Sequence, residues 1–221
     1  MNEKLLKHFN CAVYFCVFVL CGSLNVYANP LKVMITPDRG ELKIRHNGSP
    51  VVIRRNQNLK NRITSEFMLT SRACPPHCLQ PIKLKGIETV GEIEVLDYLQ
   101  RRADGDNTVL VVDTRSESHV AKGTIPGSVN IFGDLLIEER GANPITIEVI
   151  FTEQFGVEYQ KGRVNFSKAK TLVLYCYGIW CGQGPKTVNA LVSLGYPKNK
   201  LKWYRGGMQA WESVGLTVVK E

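Results

Sequence analysis

The sequence predicts an α/β fold in which a mainly parallel sheet is flanked by helices. Residues 108–112 and 171–175 are short apolar runs, and strands that are buried on both faces have this pattern. Residues 90–102 carry apolar side chains at helical spacing, and similar segments alternate with the apolar runs. Alternation of helices and strands is typical of α/β domains with a parallel sheet.

The composition excludes several classes of protein. Of the 221 residues, 44% are hydrophobic and 22% are charged, which excludes a disordered, collagen-like or polytopic membrane chain. The formal net charge is +8, but the basic residues are scattered along the chain. We therefore expect no nucleic-acid partner.

The first 28 residues have the pattern of a secretory signal peptide. Lys4 and Lys7 precede an apolar run at residues 11–26, and Ala28 ends a cleavage motif of small or branched residues. The apolar run is shorter than the roughly 20 residues that cross a bilayer. We expect cleavage after Ala28 and a periplasmic mature chain. The alternative is a membrane anchor formed by an uncleaved N-terminal segment.

Four of the seven cysteines lie beyond this segment, in two close pairs. Cys74 and Cys78 enclose two prolines and a histidine, and Cys176 and Cys181 form the second pair. In an exported chain, close pairs favour disulfides or redox chemistry over zinc. We interpret Cys74 and Cys78 as a possible structural disulfide, and a redox or metal role for this pair is the alternative.

Residues 29–81 are predicted to form a small β-rich extension. Turn-forming residues that include Pro37, Gly40 and Gly48 separate short runs of branched side chains between residues 31 and 53. These features predict one or two hairpins before the loop that carries Cys74 and Cys78.

Residues 82–221 are predicted to form the α/β domain. Residues 132–170 are long for a connection and are expected to contain one helix. The predicted elements are, in order, a helix at 90–102, a strand at 108–112, a short helix at 119–123, a short strand at 128–131, a helix at 147–155, a strand at 171–175, a helix at 185–194, a strand at 201–204 and a final helix from Gly206.

Three side chains follow strands at the carboxyl edge of the predicted sheet, where such folds bind their ligands. Asp113 and Arg115 follow the strand at 108–112, and Cys176 follows the strand at 171–175. A short glycine-containing loop then leads from Cys176 into a helix, whose first amides and dipole stabilise an anion. This position predicts a Cys176 thiolate that acts as a nucleophile.

Several segments of residues 86–219 together resemble the rhodanese-like family of single-domain sulfurtransferases. They are the Asp-x-Arg ending at 111–115, the Ile-Pro-Gly segment at 122–131, the strand that ends at Cys176, and the Gly-Tyr, Arg-Gly-Gly and Trp signature at 195–211. The resemblance implies that Cys176 accepts a sulfane sulfur as a persulfide and passes it to a nucleophilic acceptor. It also implies that amides of the following loop hold that sulfur; these residues are Tyr177, Gly178, Ile179, Trp180, Cys181 and Gly182.

The loop departs from the family pattern in its charge. Family members often carry arginines where this chain has Tyr177 and Cys181, so the loop has no basic side chain. Arg115 and Arg205 are then the nearest candidate charges. Asp113 and Arg115 are expected to support the loop as an ion pair rather than to act as acid-base catalysts.

The sequence thus predicts an exported sulfurtransferase that transfers sulfur from a small donor to a thiol acceptor, with no metal and no cofactor. Two alternatives stay open. Cys181 can resolve an oxidised Cys176, which describes a thiol-disulfide oxidoreductase or redox sensor with a redox protein as partner. The same loop can also bind a partner or a small anion without turnover.

Overall fold

The computed structural model of the protein describes residues 31–160 and 163–220. The signal peptide predicted at residues 1–28 lies outside these ranges. Within them, no helix has both the length and the apolar character that crossing a membrane requires.

One hairpin precedes the main sheet. Strands β1 (Glu41–His46) and β2 (Ser49–Arg54) pair antiparallel, and both turn residues between them, Asn47 and Gly48, have positive φ. Two such residues are typical of the tight turns that join hairpin strands. The buried apolar side chains of the hairpin belong to the same core as helix α1 (Glu92–Ala103), so the predicted hairpin is confirmed.

The central sheet has five parallel strands among the described residues. Their order across the sheet is β3 (Glu88–Val90), β9 (Leu201–Tyr204), β8 (Thr171–Tyr175), β4 (Val109–Asp113) and β5 (Val129–Asn130). Strands β4 and β8 lie in the middle and are almost fully buried, which explains their continuous apolar sequences. The predicted α/β class with a central parallel sheet is confirmed.

Helices cover both faces of this sheet. On one face of the sheet, Val111 and Val173 pack in a core with α1 and α5 (Gly207–Ser213). On the other face, Leu110 and Leu172 pack in a core with α4 (Gln183–Ser193). Alternate strand residues therefore enter opposite cores, as the pleat of a strand requires. The remaining α-helices of the described chain are α2 (Glu117–Val120) and α3 (Pro144–Val149).

Residues 132–170 contain more regular structure than the single helix predicted there. Helix α3 starts before residue 147 because the Asn143 side chain accepts the Thr146 amide and Pro144 occupies the first turn. A π-helical turn at Ile150–Gln154 continues it. A short antiparallel pair of strands, β6 (Glu158–Gln160) and β7 (Arg163–Asn165), follows, and the sequence reasoning did not predict it.

Candidate active site

Cys176 directly follows β8 at the carboxyl edge of the sheet. The register between β4 and β8 places Asp113 opposite Tyr175. Thr114 then donates hydrogen bonds to the Tyr175 carbonyl from its amide (3.0 Å) and its hydroxyl (2.7 Å). The structure therefore brings the chain after β4 to the side of Cys176, as the sequence arrangement predicts for neighbouring parallel strands.

The active-site loop, residues 176–182, is held by the start of α5. The Met208 amide donates to the Cys176 carbonyl at 3.0 Å, and the Gln209 amide donates to the Tyr177 carbonyl at 2.8 Å. These two bonds fix the backbone directly after the Cys176 side chain. The geometry of the loop thus depends on a helix that begins about thirty residues later in the chain.

Gly207 allows α5 to come this close. Its φ is +56°, and a Cβ atom at this position would overlap the Cys176 carbonyl and lie 2.9 Å from the Gly178 amide nitrogen. Gly141 also has positive φ, +89°, but nothing lies within 4 Å of its Cβ position. Both glycines therefore have a left-handed backbone conformation that disfavours other residues. Only at Gly207 would a side chain also collide with neighbouring atoms.

We expect Gly207→Ala to destabilise the protein more than Gly141→Ala. Strain at a left-handed position costs about 1 kcal/mol in either variant, and the overlap at Gly207 adds about 1–3 kcal/mol. Urea unfolding of both variants measures the difference in the free energy of unfolding. Equal losses in the two variants would contradict the close approach of α5.

A disulfide joins Cys176 and Cys181 across the loop. Their α-carbons are 6.4 Å apart, inside the limit of about 7 Å for a bridge. Both residues are buried, with 3% and 7% of their surface exposed. The Cys181 amide was among those expected to hold the transferred sulfur. In the structure it instead donates to the Gly178 carbonyl at 2.9 Å. In this oxidised form Cys176 must be reduced before it can act as a nucleophile.

A buried ion pair supports the same edge of the sheet. Arg115 donates from Nε to Oδ1 of Asp113 (2.9 Å) and from Nη2 to Oδ2 (2.6 Å), and the two side chains are 2% and 0% exposed. Burial opposes the charge of Arg115, but the hydrogen bonds and charge of Asp113 outweigh it and raise the pKa of Arg115. Arg115 also donates to the Gly123 carbonyl at 2.6 Å. The pair therefore acts as a fixed internal support.

Tyr175 extends this network towards the Ile-Pro-Gly segment. Its hydroxyl lies 2.8 Å from Thr124 Oγ1 and 2.9 Å from Ser128 Oγ, and Thr124 in turn donates to Asp113 Oδ2 at 2.8 Å. Burial raises the pKa of Tyr175 well above its ordinary value, so the hydroxyl stays protonated. The residue before Cys176 is thus tied to the ion pair through side-chain hydrogen bonds.

Two aromatic side chains occupy the loop itself. The rings of Tyr177 and Trp180 stack with their centroids 5.7 Å apart, and Trp180 Nε1 donates to Gln209 Oε1 at 2.9 Å. His119 contacts the Tyr177 ring edge-on at 4.9 Å, and burial together with the charge of Lys122 lowers the pKa of His119. The loop therefore carries two stacked aromatic rings, and the His119 imidazole packs against one of them.

The loop of Cys74 and Cys78 packs against the active-site loop, a contact that the sequence reasoning missed. The Gln80 amide donates to the Ile179 carbonyl at 2.9 Å. The His77 ring meets the Trp180 ring edge-on, with centroids 5.3 Å apart. Cys74 and Cys78 are themselves joined by a disulfide, with α-carbons 4.6 Å apart. Two disulfide-bearing loops from distant parts of the sequence are thus brought together.

The charges near the loop include the expected Arg115 and one arginine that was not expected. Arg115 pairs with Asp113, and its guanidinium carbon also lies 5.4 Å from the centroid of the Tyr177 ring. Arg205 donates to the carbonyls of Gln80 (2.8 Å) and Pro81 (3.0 Å). Arg72 lies over Trp180, with its guanidinium carbon 4.0 Å from the ring centroid. Arg72 could not be found from sequence, because it belongs to no motif and is remote from Cys176. Within the described residues, no cluster of three or more potential ligands could hold a metal ion.

The fold and the site define an α/β protein that presents a cysteine on the loop after a central parallel strand. The rhodanese-like domain family matches residues 95–214, a range that contains β4, β8 and Cys176. The chain therefore belongs to the rhodanese-like family.

Solved structures give weaker likenesses. A protein of Bacillus halodurans is 19% identical and aligns over 62% of this chain and 79% of its own, with a TM-score of 0.43. The human single-domain sulfurtransferase is 24% identical and aligns over 56% of this chain and 93% of its own, with a TM-score of 0.37. Thiosulfate sulfurtransferase from Pseudomonas aeruginosa is 16% identical and aligns over 62% of this chain and 21% of its own, with a TM-score of 0.40. A search of curated proteins found no match.

Proposed function

We propose that the protein is a sulfurtransferase in which Cys176 carries a sulfane sulfur as a persulfide. The position of Cys176 carries this proposal: it lies in the rhodanese-like region, at the end of β8 and at the start of the loop that leads into α4. Backbone amides and the positive end of a helix favour an anion at such a position. They lower the pKa of a free thiol and so increase the share of reactive thiolate.

The proposed reaction has two displacements at sulfur. The Cys176 thiolate attacks the sulfane sulfur of a small donor, and the remainder of the donor leaves with the bonding electron pair. The terminal sulfur of the persulfide is then attacked by the thiolate of an acceptor, and Cys176 leaves as a thiolate. Because Cys176 is only 3% exposed, a small donor suits the site better than a large one.

A specific observation favours a second candidate function. The disulfide between Cys176 and Cys181 supports thiol-disulfide exchange with a redox protein, in which the pair alternates between dithiol and disulfide. The two functions differ in what Cys176 gains. Sulfur transfer adds one sulfur atom to Cys176, whereas disulfide exchange adds none.

Intact mass spectrometry with peptide mapping tests the proposal. The protein is reduced, freed of reductant and mixed with a sulfane-sulfur donor, and the masses of the peptides that carry each cysteine are compared. We expect one additional sulfur atom on Cys176. A chain that takes up no sulfur and returns to the disulfide between Cys176 and Cys181 would overturn sulfur transfer in favour of redox exchange.

Replacing Cys181 with serine separates the two functions further. We expect Cys181→Ser to take up sulfur on Cys176 as the wild type does, because Cys176 keeps its position after β8, while the loop disulfide disappears. Sulfur uptake and exchange with a dithiol protein are measured on the same preparation. If both activities were lost together, the pair itself would be the functional unit.

We further propose that the mature protein is exported to the periplasm and begins at Asn29, with an extension at residues 29–81 and a rhodanese-like domain at 82–221. Two disulfides suit an oxidising compartment. N-terminal sequencing of protein recovered from a periplasmic fraction tests the cleavage site. Recovery of the uncleaved chain in the membrane fraction would instead support the anchored form.

A further inference from the structure

The two disulfides are carried by segments that touch each other. The Cys78 carbonyl accepts a hydrogen bond from Gln80 Nε2 at 2.7 Å. The same nitrogen lies 3.7 Å from the Cβ position of Gly182, the residue after Cys181. Together with the bond from the Gln80 amide to the Ile179 carbonyl (2.9 Å), this places the chain directly after Cys78 against the residues on either side of Cys181.

The two pairs differ in their access to solvent. Cys74 is exposed and Cys78 is half-buried, whereas Cys176 and Cys181 are only 3% and 7% exposed. A partner of protein size can therefore reach the outer pair, Cys74 and Cys78, more easily than the inner pair, Cys176 and Cys181. Attack on a disulfide requires a thiolate to reach one of its sulfur atoms.

We propose that Cys74 and Cys78 relay electrons from an external dithiol to the disulfide between Cys176 and Cys181. The inference goes beyond the proposed function, and it rests on that function only where it identifies Cys176 as the thiolate to be regenerated. The relay gives the extension a chemical role, because it connects an exposed redox pair with the buried nucleophile.

The exchange conserves atoms and electrons. The Cys78 thiolate attacks the Cys181 sulfur, a Cys78 to Cys181 disulfide forms, and Cys176 leaves as a thiolate. The Cys74 thiolate then attacks the Cys78 sulfur, which restores the Cys74 to Cys78 disulfide and releases Cys181. Two electrons have passed to the inner pair. An external dithiol, itself oxidised to a disulfide, reduces the outer pair again.

The surroundings of the outer pair suit this exchange. Arg72, two residues before Cys74, lies over the Trp180 ring of the active-site loop at 4.0 Å, so the chain on both sides of the outer pair contacts that loop. His77, between the two outer cysteines, contacts the same ring. A purely structural disulfide would hold the extension in place but would pass no electrons to the inner pair.

Trapping the mixed disulfide tests the relay directly. In the variant C74S/C176S only Cys78 and Cys181 remain of the two pairs, so an encounter between them leaves a stable cross-link. We expect mild oxidation followed by peptide mapping without reductant to find this cross-link in most molecules. The matched variant C78S/C176S, which keeps Cys74 and Cys181, should form less. Absence of the Cys78 to Cys181 cross-link from C74S/C176S that unfolds as cooperatively as C78S/C176S does would overturn the proposal.

Reduction kinetics give an independent readout on protein with an intact inner pair. Reduced thioredoxin serves as the dithiol protein, and alkylation at timed intervals reports the release of Cys176. We expect C74S/C78S to be reduced at least about tenfold more slowly than the wild type, because the accessible thiol route is lost. Equal rates would mean that the outer disulfide is only structural.

The same variant distinguishes failure of the relay from failure of the proposed function. C74S/C78S that has been reduced chemically should still take up one sulfur on Cys176. If wild-type protein took up no sulfur, while C74S/C176S formed the cross-link and C74S/C78S was reduced more slowly, sulfur transfer would be overturned and the relay would stand. Normal sulfur uptake by the wild type, with no cross-link in C74S/C176S and no slower reduction of C74S/C78S, would overturn the relay and leave sulfur transfer standing.

Discussion

Replacement of Cys176 by serine is expected to reduce sulfur transfer to the background rate while the protein stays folded. A serine hydroxyl is similar in size to a thiol, but it does not ionise near neutral pH and forms no persulfide. The measurement is the rate of sulfur delivery from a sulfane-sulfur donor to a thiol acceptor, with wild type and variant compared at equal concentration after reduction.

Cys181→Ser is the matched control for this experiment. Both variants lose the disulfide between Cys176 and Cys181, so any change that comes from the missing cross-link affects them equally. Only Cys176→Ser removes the proposed nucleophile, and only that variant should lose transfer. Turnover that persists in Cys176→Ser would exclude Cys176 as the sulfur carrier.

The central sheet could be predicted because each of its middle strands carries its own signal. Residues 171–175 and 201–204 were predicted as strands and correspond to β8 and β9. A strand buried on both faces is apolar at most of its positions, and this is visible in a single sequence. The position of Cys176 follows from the same signal, since it is the first residue after β8.

The contact between the two cysteine loops could not be predicted in this way. It depends on the hydrogen bond from Gln80 to Ile179 and on the ring contact of His77 with Trp180. These are long-range contacts between residues that have ordinary local surroundings. Periodicity and turn chemistry describe neighbours along the chain, so neither identifies which loops meet across the fold.

The charge of the site shows the same limit. The sequence states correctly that residues 176–182 contain no basic side chain, and it suggests Arg115 and Arg205 as substitutes. In the structure Arg205 binds carbonyls after Cys78. Arg115 pairs with Asp113 and also lies over the Tyr177 ring, 5.4 Å from its centroid. A further positive charge, that of Arg72, lies over Trp180, and no local pattern in the sequence indicated it.

Asp113→Asn is expected to cause the largest loss of stability among these variants. Asparagine keeps the shape of the side chain but leaves the Arg115 guanidinium, which is 2% exposed, without a compensating charge. Breaking a buried ion pair by removing one partner costs about 3–5 kcal/mol. Urea unfolding should therefore show a large decrease in the midpoint with a similar slope.

Asp97→Asn is the surface control for this prediction. Asp97 pairs with Arg39 at 2.8 Å, but the side chains of Arg39 and Asp97 are 31% and 54% exposed, and an exposed pair contributes no more than about 1 kcal/mol. Replacing Asp113 and Arg115 together by leucine and methionine should recover part of the loss, since no buried charge then remains. If Asp113→Asn lost no more stability than Asp97→Asn, the buried pair would not be the support of this edge of the sheet.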